Sequence, residues 1–121
     1  MFTYSLSLAL LTTFAGHSAI EDPDPAQFIR IELFGEGRIL SLAEVEVFSD
    51  KANIALTGAA THSSHYAGSG PELAIDGILD GIHTGGSVSH TAGDQIDAWW
   101  ELDLGAPFLI DQVTIWNRMN C

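Results

Sequence analysis

The fold turns on the stretch "DAWWELDLG", residues 97–105. Trp100, Leu102 and Leu104 alternate with Glu101 and Asp103. A period of two places the apolar side chains on one face of an extended strand and the carboxylates on the other. Two tryptophans head the run and a glycine closes it, which suits a half-buried strand that ends in a turn.

The same alternation recurs on both sides of this run. In "FIRIELF" (28–34), Ile29, Ile31 and Leu33 alternate with Arg30 and Glu32. In "LAEVEVFS" (42–49), Ala43, Val45 and Val47 alternate with Glu44 and Glu46, and in "DQVTIWN" (111–117) Val113 and Ile115 oppose Gln112 and Thr114. The shorter "NIAL" (53–56) is a candidate fifth strand. Antiparallel strands with one buried face, punctuated by Gly, Pro, Asn and Asp, predict an all-β sandwich of the jelly-roll type. With 121 residues the chain makes one small domain, burying about two-thirds of its unfolded surface.

Residues 1–19 carry no charged side chain and centre on an apolar run, with small residues around Gly16 to Ala19. They resemble a secretory signal peptide, followed by a linker over 20–27 that contains "EDPDP" and by the domain proper over 28–121. This reading implies an exported protein, secreted or displayed at the cell surface. No apolar run approaches the roughly 20 residues of a membrane-spanning helix, so no membrane insertion is expected. Net charge is −12, and between Ala52 and Asn117 there are eight carboxylates and no Lys or Arg. Such a surface repels nucleic acid and anionic membranes and attracts cations.

From Thr57 to Asp97 the chain is rich in Gly, Ser, Thr, His and Asp, and only "PELAIDG" suggests a helical turn. A long loop tract inside a compact domain is usually functional. In "ELAIDGILDG" (72–81), Asp76 and Asp80 each precede a glycine, as calcium-binding loops and plain Asp-Gly turns both do. The match to an EF-hand is poor. "HSSH" places His62 and His65 three apart, a spacing found in zinc sites, here without cysteine partners. His90 follows Val88 in a short extended run, where a structural hydrogen-bonding role is the simpler reading. No nucleophile elbow, acid–base carboxylate pair or phosphate-cradling glycine loop is present, so no enzyme is expected.

Taken in order, "RILSLAEVEVFS", "NIALTGAATHSSHY", "ELAIDGILDG", "GGSVSHTAGD", "DAWWELDLG" and "IDQVTIWNRMNC" resemble the F-type (fucose-binding) lectins, relatives of the coagulation factor V/VIII C-type, or discoidin, domains. The resemblance implies a β-jelly-roll with a sugar site among the loops at one end and a structural calcium beside it. His90 and Arg118 match the histidine and first arginine that bind the sugar, with His65, Tyr66, His83 and Thr84 lining the surrounding loops. The calcium ligands it implies are the Leu73 carbonyl, the Asp76 carboxylate, the Ile78 carbonyl and Ser87, which leaves Asp80 as a turn residue. The implied partners are glycans, above all fucosylated ones, with oligomeric state open. Two departures stand out. Asn120 occupies the place of the family's aspartate, and the second arginine and last strands would follow Cys121, so the expected jelly roll is incomplete at its C-terminus. Two alternatives share these residues. One is a discoidin-like adhesion or protein-docking module that binds no sugar, and the other is a zinc enzyme built on His62, His65, His83 and His90.

Overall fold

The computed structural model describes residues 5–8, as backbone, and residues 23–120. The leader reading of 1–19 lies outside these residues apart from a strand at Ser5–Leu8, and Cys121 lies outside them too. Among the described residues eight strands run β1 (Ser5–Leu8), β2 (Ala26–Glu36), β3 (Ser41–Ser49), β4 (Ala52–Asn53), β5 (Ala59–His62), β6 (Ser89–His90), β7 (Ile96–Phe108) and β8 (Gln112–Asn117). One sheet has the order β1-β2-β7-β5, and the other has β4-β3-β6 with β8 also paired to β3. Every pairing is antiparallel.

The alternating runs do what their period requires. Ile29, Ile31 and Leu33 of β2 stand opposite Leu102, Trp100 and Ala98 of β7, and all six are buried. They meet Leu40, just before β3, and Leu42, Val45 and Val47 of the other sheet in one continuous core. The chain is therefore an all-β sandwich. On the outer face of the first sheet the polar half of the pattern pairs as well. Arg30 lies between Glu32 at 2.7 Å and Glu101 at 3.1 Å, with its guanidinium 4.1 Å from the Trp99 ring centre.

Two local readings change. "NIAL" is not a strand: after the two-residue β4, residues Ile54–Thr57 form a 3-10 turn in which the Ala55 amide is capped by the Asn53 side chain. Glu44 is not on a solvated face, because the pairing of β3 with β8 shifts register between Leu42 and Glu44. Such a bulge puts an extra residue against the partner strand and re-aims side chains, and here Leu42, Ala43, Glu44 and Val45 are all buried.

The loop tract is held by the core it covers. Trp100, fully buried, donates its indole N–H to the Pro71 carbonyl at 3.0 Å. That bond anchors the 3-10 turn Pro71–Ile75, the helical turn expected in "PELAIDG". Replacing Trp100 by Phe should leave the Pro71 carbonyl without its donor and cost about 1–3 kcal/mol, read as a shifted midpoint in chemical denaturation. An unchanged midpoint would show that the bond contributes nothing.

Candidate functional site

β6 is only two residues long, yet it carries His90 into the centre of a ring cluster. His90 N donates to the Ser69 carbonyl at 3.1 Å, and Tyr66 N donates to the His90 carbonyl at 3.2 Å. Ser69 N closes the turn onto the Tyr66 carbonyl at 3.0 Å. These bonds bring the Tyr66 ring within 4.8 Å of His90 and 6.2 Å of His83, with His83 and His90 at 5.3 Å. His83 begins the 3-10 turn His83–Gly85, and its Nε2 meets the Ser69 hydroxyl at 3.1 Å. His90 is buried at the base while Tyr66 is exposed on the rim.

The protonation of His90 follows from its partner. Nδ1 lies 2.7 Å from the Thr91 carbonyl, and a carbonyl can only accept, so Nδ1 carries the proton and Nε2 presents a lone pair. Among the described residues Nε2 makes no hydrogen bond. Burial is the largest influence on His90 and lowers its pKa, the Thr91 bond opposes this, and the charges of Arg118 and His83 lower it further. The ring is thus a neutral acceptor near pH 7. Its single donor is occupied by Thr91, so His90 has no second donor for a ligand.

Arg118 follows β8 and is oriented by Asn120. The Asn120 side-chain oxygen accepts from Arg118 Nε at 3.3 Å and from the His83 backbone N–H at 2.9 Å. Asparagine in place of an aspartate therefore still ties the arginine to the His83 turn, through a neutral oxygen. A buried acceptor and a fork of donors beside aromatic faces suit a neutral polyol with an apolar edge.

A second cluster lies beside the first. Asp76 ends the Pro71–Ile75 turn, its Oδ1 accepts from Ile78 N at 2.9 Å, and its Oδ2 accepts from the Ser87 hydroxyl. Gly77 has φ 81°, a conformation that glycine adopts without strain. Asp80 makes its own turn, accepting from Ile82 N at 2.9 Å. Glu44 faces this loop from β3. It is fully buried, and among the described residues neither carboxylate oxygen has a hydrogen-bond partner. Loss of solvent pushes its pKa up from 4.5 to about 7. The nearby Gly77 and Val45 backbone partly offsets this, without a hydrogen bond of normal geometry, and the Asp76 charge adds to the rise. An orphaned buried carboxyl against a second carboxylate is costly unless a cation joins them.

The structure thus gathers Tyr66, His83, His90 and Arg118 into one cluster and Asp76, Ile78 and Ser87 into another, with Leu73 on the adjoining turn. Of the expected sugar-loop residues, His65 meets His62 at 3.3 Å, and Thr84 is exposed on the 3-10 turn next to His83. The four histidines form two separate pairs, and among the described residues no three His, Cys, Asp or Glu side chains are placed to hold one metal. Glu44 is the residue that the period-2 reading missed. Its only sequence signal was its place in "AEVEVF", which also marks an ordinary strand.

The clusters lie on the turns and the short strand between the longer strands of a two-sheet β-sandwich. A family model described as an F5/F8 type C, NedA-like, galactose-binding domain matches residues 73–121. Fucolectin-3 of Anguilla japonica is 42% identical over 74 residues, which cover 57% of this chain and 40% of that protein. The fucolectin of Anguilla anguilla is 40% identical over 74 residues, covering 57% of this chain and 46% of that protein. Through this segment the chain is similar to F5/F8 type C domains and to the fucolectins. It spans less than half the length of these curated relatives. No solved structure matches. Among the described residues no helix is long and apolar enough to cross a membrane.

Proposed function

We propose that the protein is a non-catalytic carbohydrate-binding module that recognises fucose or a closely related sugar on glycans, with a structural calcium beside the site. The observation that carries the reading is the free Nε2 acceptor of His90, set beneath the Tyr66 and His83 rings and near an arginine held by Asn120. A sugar hydroxyl would donate to His90 Nε2, while the Arg118 terminal nitrogens would donate to a neighbouring oxygen. An apolar methyl edge would rest against the Tyr66 ring. The likeness to proteins named fucolectins supports this choice of sugar.

For calcium the donor set fits. Hard oxygen ligands are available from the Asp76 and Glu44 carboxylates, the Ser87 hydroxyl and the Leu73 and Ile78 carbonyls, and Gly77 supplies the turn. Bound there, calcium would neutralise the two carboxylates and brace the loop carrying Ser87, three residues before His90. Export from the cell belongs to the same reading. The exposed apolar Ile78, Leu79, Ile82 and Met119 also suit a protein surface, as a docking module would need.

Titration with L-fucose separates the two. Wild type should bind, and Arg118→Lys should lose on the order of tenfold, because a single ammonium cannot replace a rigid fork of donors. Absence of any sugar on a glycan array, with calcium present, would favour the docking module.

A further inference from the structure

Outside these clusters, the "HSSH" turn is closed by its own two histidines. His62 ends β5, and His65 lies three residues on, next to Tyr66 of the ring cluster. Their rings stand edge-on, 5.5 Å apart at 71°, with His62 Nε2 and His65 Nδ1 hydrogen-bonded at 3.3 Å. The backbone between and beyond them is tied to neighbouring segments. Ser63 N donates to the Trp99 carbonyl at 2.9 Å, and Ala92 N donates to Ser64 Oγ at 2.9 Å. Tyr66 N donates to the His90 carbonyl at 3.2 Å. The histidine pair thus closes the turn that presents Tyr66 to the site.

A bond between two imidazoles needs one nitrogen with a hydrogen and one without. A neutral pair meets this need, and so does a pair with a single positive charge. A doubly protonated pair does not, because both facing nitrogens then carry hydrogen and the two charges repel. His62 Nδ1 is buried with no hydrogen-bond partner among the described residues, so the cation would hold an unpaired N–H there. Burial first, and then the His65 charge, lowers the pKa of His62, while the Glu72 carboxylate of the Pro71–Ile75 turn opposes them. On β7, Trp100 stands opposite His62 and Glu101 opposite Thr61, with Glu101 already paired to Arg30. A histidine whose folded pKa lies below 6.5 takes its proton more readily in the unfolded chain. Its contribution to stability is therefore complete above about pH 6.5 and is lost as pH falls through the folded value.

We propose that the His62–His65 pair is an acid-released clasp that positions Tyr66 at the rim of the site; its bearing on a sugar rests on the carbohydrate-binding reading. Amide hydrogen exchange of the full chain at pH 7 and pH 5, corrected for intrinsic rates and without sugar, tests the clasp. In the wild type, Ser63 and Tyr66 should lose protection on the order of tenfold at pH 5, as the loss of one hydrogen bond would give. His65 is exposed, so its variants should fold. His65→Gln keeps a donor and an acceptor that do not titrate, and should hold the protection at both pH values. His65→Ala should lack it at both. Unchanged wild-type protection, a His65→Gln protein as acid-sensitive as wild type, or a His65→Ala protein as protected as wild type at pH 7 would each overturn the clasp. At pH 7, L-fucose affinity should fall severalfold in His65→Ala and be rescued in His65→Gln. Equal affinity in all three would overturn the positioning of Tyr66. A wild type that binds no fucose would instead remove the sugar reading, on which the exchange result does not depend.

Discussion

Replacing Glu44 by Gln is expected to raise the melting temperature of the metal-free protein and to abolish its response to calcium. Glu44 sits fully buried on β3, with both oxygens unpartnered among the described residues, against the Asp76 loop. Its pKa is raised from 4.5 to about 7 by burial first and by the Asp76 charge in addition. A carboxyl whose folded pKa lies above its unfolded value binds its proton more tightly in the native state. The metal-free protein should therefore be most stable below pH 4.5 as far as this group is concerned, and should lose that contribution as pH rises through about 7. Gln at this position cannot ionise and removes the dependence. Under the calcium proposal the metal would reverse the sign at high pH, because it would bind the ionised pair and stabilise only the folded loop, by about 2.7 kcal/mol at a hundred times its dissociation constant. Asp76→Asn should lose the calcium response too, whereas Asp80, which caps its own turn, should tolerate Asn. Calorimetric melts at pH 6 and pH 8, with calcium and with chelator, read all of these together. A Glu44→Gln protein that still gains stability from calcium would remove Glu44 from the metal site.

The second large effect is on sugar affinity. His90→Ala should lower it by about tenfold to a hundredfold, corresponding to ~1–3 kcal/mol for unpaired polar groups at a desolvated site. The alanine variant removes the Nε2 acceptor at the base of the cluster and leaves the Thr91 carbonyl without its donor. The pH profile tests the chemistry more closely. Protonation converts Nε2 from acceptor to donor, so binding should weaken with acid. Because burial holds His90 below the ordinary histidine range, the loss should set in below about pH 6.5 rather than at it. A surface hydrogen bond would instead follow the ordinary histidine value. Equal L-fucose binding by wild type and His90→Ala at pH 7.5 would place the sugar elsewhere.

Much of this was legible in the chain. Period-2 patterning is a local property, so Ile29, Ile31, Trp100 and Leu102 announced their burial without any knowledge of their partners. Asp76 and Asp80 were separable only through the family resemblance; in the structure each accepts from the amide two residues on, and Asp76 accepts in addition from the Ser87 hydroxyl. His90 and Arg118 could be named from "SVSHT" and "WNRMNC", because the order of motifs survives in sequence.

Tertiary structure decided what depends on contacts between distant segments. Glu44 reads as the polar half of an alternating strand, and only the register shift against β8 and the loop at Asp76 turn it into a buried, uncompensated charge. His65 resembles a sugar-loop residue in one dimension, yet Ser63 and Ser64 tie its turn to Trp99 and Ala92 and set its ring against His62. The tautomer of His90 rests on a carbonyl one residue away whose direction no pattern encodes. Side-chain period follows from the pleat of a single strand, and so it was present in the sequence. Desolvation, proton position and ligand geometry arise where several strands and loops meet, and only the folded chain determines them.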